Sequence, residues 1–262
     1  MTVRQRIKYW LHTVVPGFAG RFRYFDATVH FPTGTPLFKL ICEHGVFERD
    51  IVDRLVALTR PNTALFDVGA NVGLMAIPVL QACPTCRVIS FEPSPNSLPY
   101  LRRTAAPFAG RWTIVAKALS ATAGELDFAI GQTSDALFEG FRSAERIDGA
   151  SVIRVPVSTL DDEWRAAGQP QVSMIKIDVE GAEAQVLEGG GALLSTCRPA
   201  VLLEWYGPYL SAFDTDPGSL ITVAREHGLR VFTVPAGIPV DDEQTLAVQL
   251  LTCHNYLLLP SR

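Results

Sequence analysis

The chain has 262 residues, of which 48% are hydrophobic and 19% charged, with a formal net charge of −4. This length and composition are typical of one large globular domain, and the acidic balance argues against a general nucleic-acid binder, which usually has a basic excess. No apolar run approaches the roughly 18 residues of a membrane-spanning helix.

The N-terminal segment is basic (Arg4, Arg6, Lys8) and then apolar, but His12 and Pro16 interrupt it before a signal-peptide core forms. We expect either an ordinary exposed first helix or weak contact with a membrane surface, without stable insertion. Residues 1–45 are expected to be largely irregular, although the alternation over 22–31 is typical of short strands. We predict that residues 1–45 form a lid on the substrate side of a main domain, 46–262.

Five cysteines are an odd number in a chain too large to need disulfides, which predicts reduced thiols and a cytoplasmic location. Cys83 and Cys86 have the spacing of a redox pair. However, they follow a helical run, whereas a redox pair begins a helix whose dipole lowers the thiol pKa. We interpret them as loop cysteines.

From residue 47 onward the chain alternates helices and strands. The predicted helices cover 47–58, 72–83, 97–106, 182–194 and 219–227. The predicted strands cover 64–68, 87–91, 112–116, 124–130, 152–157, 172–177, 200–204, 229–234 and 256–259. A long loop joins the last two strands, which are expected to form an antiparallel hairpin at one side. Apolar strands separated by helices predict a mostly parallel sheet with helices on both faces and ligands at its carboxyl edge.

The turn after the first main strand reads Asp67-Val68-Gly69-Ala70-Asn71-Val72-Gly73 and is expected to form a nest of backbone N–H groups. It lacks the middle glycine that lets pyrophosphate approach in G-x-G-x-x-G. Asp67 adds a carboxylate that repels pyrophosphate and suits the ammonium group of a bound amino acid. S-adenosylmethionine carries that ammonium group and no phosphate, so the turn predicts this cofactor.

Two further positions extend the predicted cofactor site. Glu92, which with Pro93 follows the second main strand, can accept hydrogen bonds from both ribose hydroxyls; capping the next helix is the structural alternative. Lys117 and Ala118 follow the third main strand and are expected to border the adenine.

A second charged motif surrounds the end of the strand at 172–177. Lys176, Asp178 and Glu180 share one face of an extended run. A charge in a central strand needs a partner, and Asp178 and Glu204 are the candidates for Lys176. Gly181 permits a sharp turn into the next helix, and Glu183 in its first turn is expected to be structural.

With Phe91-Glu92-Pro93, Ser158-Thr159-Leu160-Asp161-Asp162 and Leu203-Glu204, these motifs resemble the FkbM family of S-adenosylmethionine-dependent methyltransferases, from about Phe47 to Tyr206. The resemblance implies a Rossmann-like class I methyltransferase fold with a seven-stranded, mostly parallel sheet and an antiparallel C-terminal strand. It implies methyl transfer to a hydroxyl of a sugar, polyketide or similar small molecule. By motif position it implies cofactor contacts at Asp67, Gly69, Asn71, Gly73, Glu92 and Ala118, with Glu48 in the lead-in. Their neighbours Ala70, Pro93 and Lys117 complete the predicted set.

Methyl transfer to an alcohol needs a base, for which Asp178, Glu180 and His44 are the candidates. Asp178 is best placed by its position at the strand end, and an ordinary surface histidine is the alternative for His44. No metal is implied. Three alternatives stay open: a nitrogen acceptor, an NAD(P)-dependent oxidoreductase and a non-catalytic binding module.

Acceptor specificity is expected from residues 1–45 and from the loops 134–150 and 207–218, which carry no readable code. Aromatic residues near these loops form either apolar walls of a pocket or the edges of the core: Phe138, Phe141, Trp205, Tyr206, Tyr209 and Phe213. The oligomeric state is not readable from the sequence.

Overall fold

A computed structural model describes residues 3–15, 20–131, 140–141 and 151–261 of the chain. Most of the predicted specificity loop 134–150, including Phe138, lies outside the described residues. Among the described helices, none is long and apolar enough to cross a bilayer.

The central element is an eight-stranded sheet whose order is β13-β12-β14-β11-β10-β3-β4-β5. The strands are β3 (Ala64–Val68), β4 (Arg87–Phe91), β5 (Trp112–Val115), β10 (Val172–Ile177), β11 (Ala200–Glu204), β12 (Leu229–Thr233), β13 (Pro239–Val240) and β14 (Asn255–Pro260). The pairs from β11 to β5 are parallel, whereas β12, β13 and β14 pair antiparallel. The predicted seven-stranded, mostly parallel sheet with an antiparallel C-terminal strand is therefore confirmed, with the short β13 as an eighth strand.

The predicted C-terminal hairpin at one side needs correction. β14 does pair antiparallel with β12, but it also pairs with β11, so it lies between these two strands. The connection contains a helix, α11 (Glu243–Gln249), whose first turn is capped because the Asp242 carboxylate accepts the Thr245 N–H at 2.7 Å. Seven residues are two turns, too few to give a clear helical periodicity in the sequence.

Helices cover the faces of the sheet. They are α3 (Arg49–Leu58), α4 (Ala76–Ala82), α5 (Leu98–Ala105), α6 (Leu160–Ala166), α7 (Glu183–Glu188), α8 (Gly191–Cys197), α9 (Gly207–Leu210) and α10 (Ser219–Glu226), with 3₁₀ turns at Ala106–Phe108 and Ser211–Phe213. The sequence predicted most of them, but not α6 and α9. Residues 72–75 form a turn, so α4 starts later than predicted, and Pro78 lies in its first turn, where proline is tolerated. The single helix predicted over 182–194 is two helices, separated at Gly189 and Gly190.

The expectation that residues 1–45 are largely irregular is wrong. The segment contains α1 (Val3–Val14), a hairpin of β1 (Gly20–Tyr24) and β2 (Ala27–Phe31), and α2 (Pro36–His44). The hairpin confirms the strands indicated over 22–31. Phe31 and Phe38 are fully buried in the cluster that also contains α3 and α4, so this segment packs onto the main domain. Its role as a lid stays a prediction.

A smaller sheet of order β6-β9-β7-β8 flanks the main one. It consists of β6 (Ala118–Leu119), β7 (Gly124–Ile130), β8 (Gly140–Phe141) and β9 (Ser151–Ser158). β7 and β9 are the two short strands that the sequence predicted. They bring Phe128 into a small apolar cluster with Ala118 and Ala182.

The cysteine prediction is partly wrong. Cys83 and Cys86 do lie in the loop between α4 and β4, but they are joined by a disulfide instead of being reduced. The loop closes so that the Cys86 N–H donates to the Cys83 carbonyl at 3.1 Å, which brings the two side chains together. Cys42, Cys197 and Cys253 are outside this disulfide and remain thiols.

Candidate functional site

A cavity opens at the carboxyl edge of the main sheet, where the strand order reverses between β3 and β10, as expected for ligand sites in such sheets. Its empty volume, including the solvent-filled mouth, is about 1170 Å³. Residues at or just after the ends of β3, β4, β5, β10 and β11 line it. Those with polar or charged side chains are Glu48, Asn71, Glu92, Ser94, Lys117, Lys176, Asp178, Glu180, Glu204 and Tyr209.

The glycines of the turn after β3 are required by backbone geometry and packing. Gly69 has φ +75°, and a Cβ there would overlap the carbonyl oxygen of Asp178. Gly73 has φ +88°, and a Cβ there would lie 2.6 Å from the Trp112 ring. Gly69 therefore permits the close approach of two loops, whereas Gly73 lies against the core and does not line the cavity.

The backbone donors of this turn are already used, which corrects the expected nest. The N–H groups of Gly69 and Ala70 both donate to the Phe91 carbonyl, at 3.0 and 3.1 Å, and the Gly73 N–H donates to the Ala70 carbonyl at 2.8 Å. The Asn71 N–H donates to Glu92 at 2.8 Å. A pyrophosphate needs several backbone donors aimed at it, and these four point elsewhere.

Glu92 connects the turn to the start of the segment after β4. One carboxylate oxygen accepts the Asn71 N–H and the other accepts the Ser94 N–H, both at 2.8 Å. The side chain is buried and lines the cavity. A carboxylate in the cavity lining can accept hydrogen bonds from the hydroxyl groups of a ligand. The structural role and the predicted binding role are compatible.

Behind the cavity lies a row of buried polar groups that crosses the sheet. Lys176, Asp67 and Ser90 are register neighbours on β10, β3 and β4. The Lys176 Nζ lies 3.1 Å from Asp178 and 4.0 Å from Asp67, and it donates to the Gly69 carbonyl at 3.1 Å. Ser90 donates to Asp67 at 3.4 Å and accepts from the indole of Trp112 at 2.9 Å.

This row changes two of the predictions. Lys176 has Asp178 as its partner, as expected, but its second carboxylate within 4.0 Å is Asp67 and not Glu204. Asp67 is fully buried and does not line the cavity, so its carboxylate faces a lysine of the chain. Burial raises the pKa of Asp67, and the charge of Lys176 opposes that rise.

Three carboxylates meet at one end of the cavity. The three residues are Asp178, Glu180 and Glu204. Each has a carboxylate oxygen that lies within 4.8 Å of such an oxygen of the other two. Burial, followed by the charges of Asp178 and Glu180, raises the pKa of Glu204 to about 9. Its position beside two other acids therefore favours the protonated form of this group. The prediction of a site without a metal stays a prediction.

Glu48 and His44 lie at the N-terminal side of the cavity. Glu48 has φ +46° at the start of α3, lines the cavity, and has a pKa raised to about 7 by burial and then by the charge of Asp178. His44 lies in an adjoining groove that shares Phe47 and Glu48 with the cavity. The structure therefore does not bring His44 together with Asp178 and Glu180.

Glu183 has the structural position expected of it. It is buried in the first turn of α7, and one carboxylate oxygen accepts the N–H groups of Val179 and Gly181 at 3.0 and 3.2 Å. Burial raises its pKa to about 7. These bonds fix the loop that carries Asp178 and Glu180.

Most predicted site residues line the cavity, namely Glu48, Gly69, Ala70, Asn71, Glu92, Pro93, Lys117, Ala118, Asp178 and Glu180. Asp67, Gly73 and His44 do not. Of the aromatic candidates whose side chains the structure describes (Trp205, Tyr206, Tyr209 and Phe213), only Tyr209 is in the lining, and Trp205 is a fully buried core residue. The sequence indicated Glu204 only as a possible ion-pair partner of Lys176. The signal that could have identified it as a site residue is its position at the end of a parallel strand, the same signal that identified Glu92. No local signal marks Phe128 or Leu37, which reach the cavity from β7 and α2.

Comparison with known proteins gives consistent matches. The family model described as the Methyltransferase FkbM domain matches residues 67–231. The 2-O-methyltransferase NoeI of Sinorhizobium fredii is 30% identical over 157 residues, covering 54% of this chain and 63% of that protein. The hexuronic acid methyltransferase AglP of Haloferax volcanii is 28% identical over 149 residues, covering 54% and 56%.

A crystal structure titled Methyltransferase FkbM, from Methylobacillus flagellatus, is similar with a TM-score of 0.48 and 14% identity, covering 79% of this chain and 50% of that chain. The match spans only about three fifths of the length of the curated relatives.

Proposed function

The chain belongs to the FkbM methyltransferase family, and on that premise we propose that it transfers a methyl group from S-adenosylmethionine to a neutral hydroxyl of a sugar or similar small molecule. The observation that carries the proposal is the cavity itself. It brings the buried carboxylate of Glu92 and a cluster of acids around Asp178 into one lining.

The residues present fit this cofactor. Glu92, which follows β4 and lines the cavity, would accept hydrogen bonds from the ribose hydroxyls. Ala118, Leu119 and Phe128 offer apolar surface for a flat ring. When bound, S-adenosylmethionine supplies a methyl group that its sulfonium has already activated for displacement.

The occupied N–H groups of the glycine turn support this cofactor over a dinucleotide. Gly69, Ala70 and Asn71 direct their N–H groups to protein acceptors, so a pyrophosphate would find few donors there. Membership of a methyltransferase family also argues against the oxidoreductase alternative.

We propose Asp178 as the base that takes the proton of the acceptor hydroxyl. Its carboxylate lines the cavity and is held by Lys176 at 3.1 Å, which fixes its direction. Glu204, protonated near neutral pH, can donate a hydrogen bond to the same acceptor, and Glu180 is the second candidate base. With S-adenosylmethionine bound, the methyl–sulfur bond would break as the hydroxyl oxygen bonds to the methyl carbon, S-adenosylhomocysteine would leave, and the hydroxyl proton would pass to Asp178.

The acceptor class follows from the same acids and from the relatives. AglP is named for a hexuronic acid and NoeI as a 2-O-methyltransferase. The neighbouring carboxylates of Asp178 and Glu180 disfavour contact with another anionic group, so we propose a neutral sugar hydroxyl instead of a carboxylate. A nitrogen acceptor is the alternative within the same family. A cytoplasmic location stays a prediction.

Calorimetry with S-adenosylhomocysteine tests the cofactor. We expect Glu92→Ala to weaken binding about tenfold or more, because it removes the paired acceptor for two hydroxyls. The control is Glu125→Ala, an exposed glutamate on β7, which should leave affinity unchanged. Unchanged affinity in Glu92→Ala, or a melting-temperature rise with NADH and none with S-adenosylhomocysteine, would contradict the assignment.

Methyl transfer from labelled S-adenosylmethionine tests the acceptor and the base. The panel contains methyl glycosides of neutral hexoses, hexuronic acids and amino sugars. We expect a labelled product from a neutral sugar that survives mild alkali, because a methyl ether is stable where a methyl ester is cleaved. Asp178→Asn should lower turnover far more than S-adenosylhomocysteine affinity. Labelling confined to an amine or to an alkali-labile ester refutes the hydroxyl acceptor, and unchanged turnover removes Asp178 as base.

A further inference from the structure

Helix α1 presents apolar side chains outward. Val3, Ile7, Trp10 and Val14 are 74%, 53%, 59% and 49% exposed. At the helical repeat these four positions fall within an arc of about 60°. Amphipathic helices of globular proteins normally turn such a stripe toward the core, so this orientation needs an explanation.

The opposite side of α1 fixes this orientation. His12, about half a turn around the helix from Val3, is 1% exposed, and its Nε2 accepts the Gly34 N–H at 2.9 Å. Its ring lies 4.4 Å from that of Phe38 on α2. Because α1 is anchored through this polar residue, the outward stripe is part of the folded arrangement.

Charge is strongly segregated around this helix. The first 25 residues contain five arginines and lysines and no acidic residue, in a chain whose overall net charge is −4. Arg6 on α1 and Arg21 on the adjacent β1 are exposed. An apolar stripe with a tryptophan, flanked by basic residues, matches the surface of a bilayer that contains anionic lipids.

We propose that α1 lies in the interface of an anionic lipid bilayer, with Ile7, Trp10 and Val14 inserted among the lipid head groups and the basic residues paired with lipid phosphates. A second copy of the chain fits less well. In a symmetric contact through the same face, the basic segments of both copies would be adjacent and repel each other.

The binding mode is peripheral, because no described helix can span the bilayer. It brings the membrane close to the candidate site, since α1 packs on α2, and Leu37 of α2 lines the cavity.

Vesicle co-sedimentation of the full chain tests the proposal. We expect binding to phosphatidylcholine vesicles that contain about 30% phosphatidylglycerol, weaker binding at about 0.5 M salt, and little binding to phosphatidylcholine alone. Ile7→Gln/Val14→Gln should weaken binding about tenfold or more, because two apolar side chains no longer insert. The matched control is Val248→Gln/Leu251→Gln, at positions 63% and 80% exposed near α11, which should bind like the native chain.

Tryptophan fluorescence provides a readout that does not depend on those variants. Of the four tryptophans, Trp112, Trp164 and Trp205 are 7%, 5% and 0% exposed, so a blue shift on adding vesicles reports Trp10. Trp10→Phe should abolish the shift and retain sedimentation.

Three results would overturn the proposal. The first is absence of both sedimentation and blue shift in the native chain. The second is equal loss in the two glutamine pairs. The third is a native chain that does not bind vesicles but forms a concentration-dependent dimer, seen by light scattering. Loss of that dimer in Ile7→Gln/Val14→Gln would assign the stripe to a contact with a second copy.

Discussion

Lys176→Met is expected to be among the most destabilising single substitutions at the carboxyl edge of the sheet. The residue is 4% exposed, and its ammonium group contacts Asp178, Asp67 and the Gly69 carbonyl together. Methionine fills a similar volume but leaves two carboxylates without their cation, one of them fully buried. Breaking a buried pair by removing one partner costs about 3–5 kcal/mol. For a domain of this size, that lowers the melting temperature by about 6–20 °C.

The assay is urea unfolding followed by circular dichroism at pH 8 and pH 5.5. The loss should be smaller at pH 5.5, because Asp67, whose pKa burial already raises, can take up a proton and shed its unpaired charge. Lys39→Met, the same substitution on an exposed position of α2, is the control and should change stability by no more than about 0.5 kcal/mol. Adding Asp67→Asn to Lys176→Met should restore part of the loss. If Lys176→Met is as stable as Lys39→Met at pH 8, the ion-pair reasoning is refuted.

Three further predictions use matched pairs or a pH series. Gly69→Ala should lower the free energy of unfolding in urea by at least about 1 kcal/mol more than Gly45→Ala does. Both glycines have positive φ, but of the two only Gly69 has backbone atoms where a Cβ would lie. Equal losses in the two variants would contradict this. Asp161→Ala should lower the free energy of unfolding by about 1.5–3 kcal/mol in the same assay, because the Asp161 carboxylate accepts two N–H groups at the start of α8. Asp162→Ala, at an exposed position, should lower it far less. A larger loss in Asp162→Ala than in Asp161→Ala would contradict this geometry. Glu204→Gln should gain stability over the native chain in thermal melts as pH rises from about 6 to 9. The pKa of Glu204 in the folded chain is raised from 4.5 to about 9, so the stability of the native chain falls increasingly across that pH window. A stability difference between Glu204→Gln and the native chain that does not change with pH would contradict this prediction.

Several elements could be predicted from local pattern because most of their residues are apolar. The strands Ala64–Val68, Arg87–Phe91, Val172–Ile177 and Ala200–Glu204 match their predicted bounds. The carboxyl-edge rule then predicted that Glu92 and Asp178 lie at one edge of the sheet, and both line the cavity. This rule succeeds because parallel strands with right-handed crossovers must end on the same side.

Short or marginal elements were missed for lack of periodic signal. α2 and α11 have nine and seven residues, and α2 is stabilised by the burial of Phe38 and Ile41 against the main domain. Burial of this kind depends on contacts far apart in the sequence, which local propensity does not contain.

The sequence by itself determined the chain order of the main strands and of most helices between them, the glycines of the turn and which acids end parallel strands. Only the tertiary structure decided which of these acids are available to a ligand. Asp67 and Glu92 both lie at strand ends, yet the register of β3 with β10 places Asp67 beside Lys176, whereas Glu92 faces the cavity. The physical reason is that the register of a strand, and the direction in which its side chains point, depend on how strands pack against one another. A buried cation then takes the nearest carboxylate as its partner.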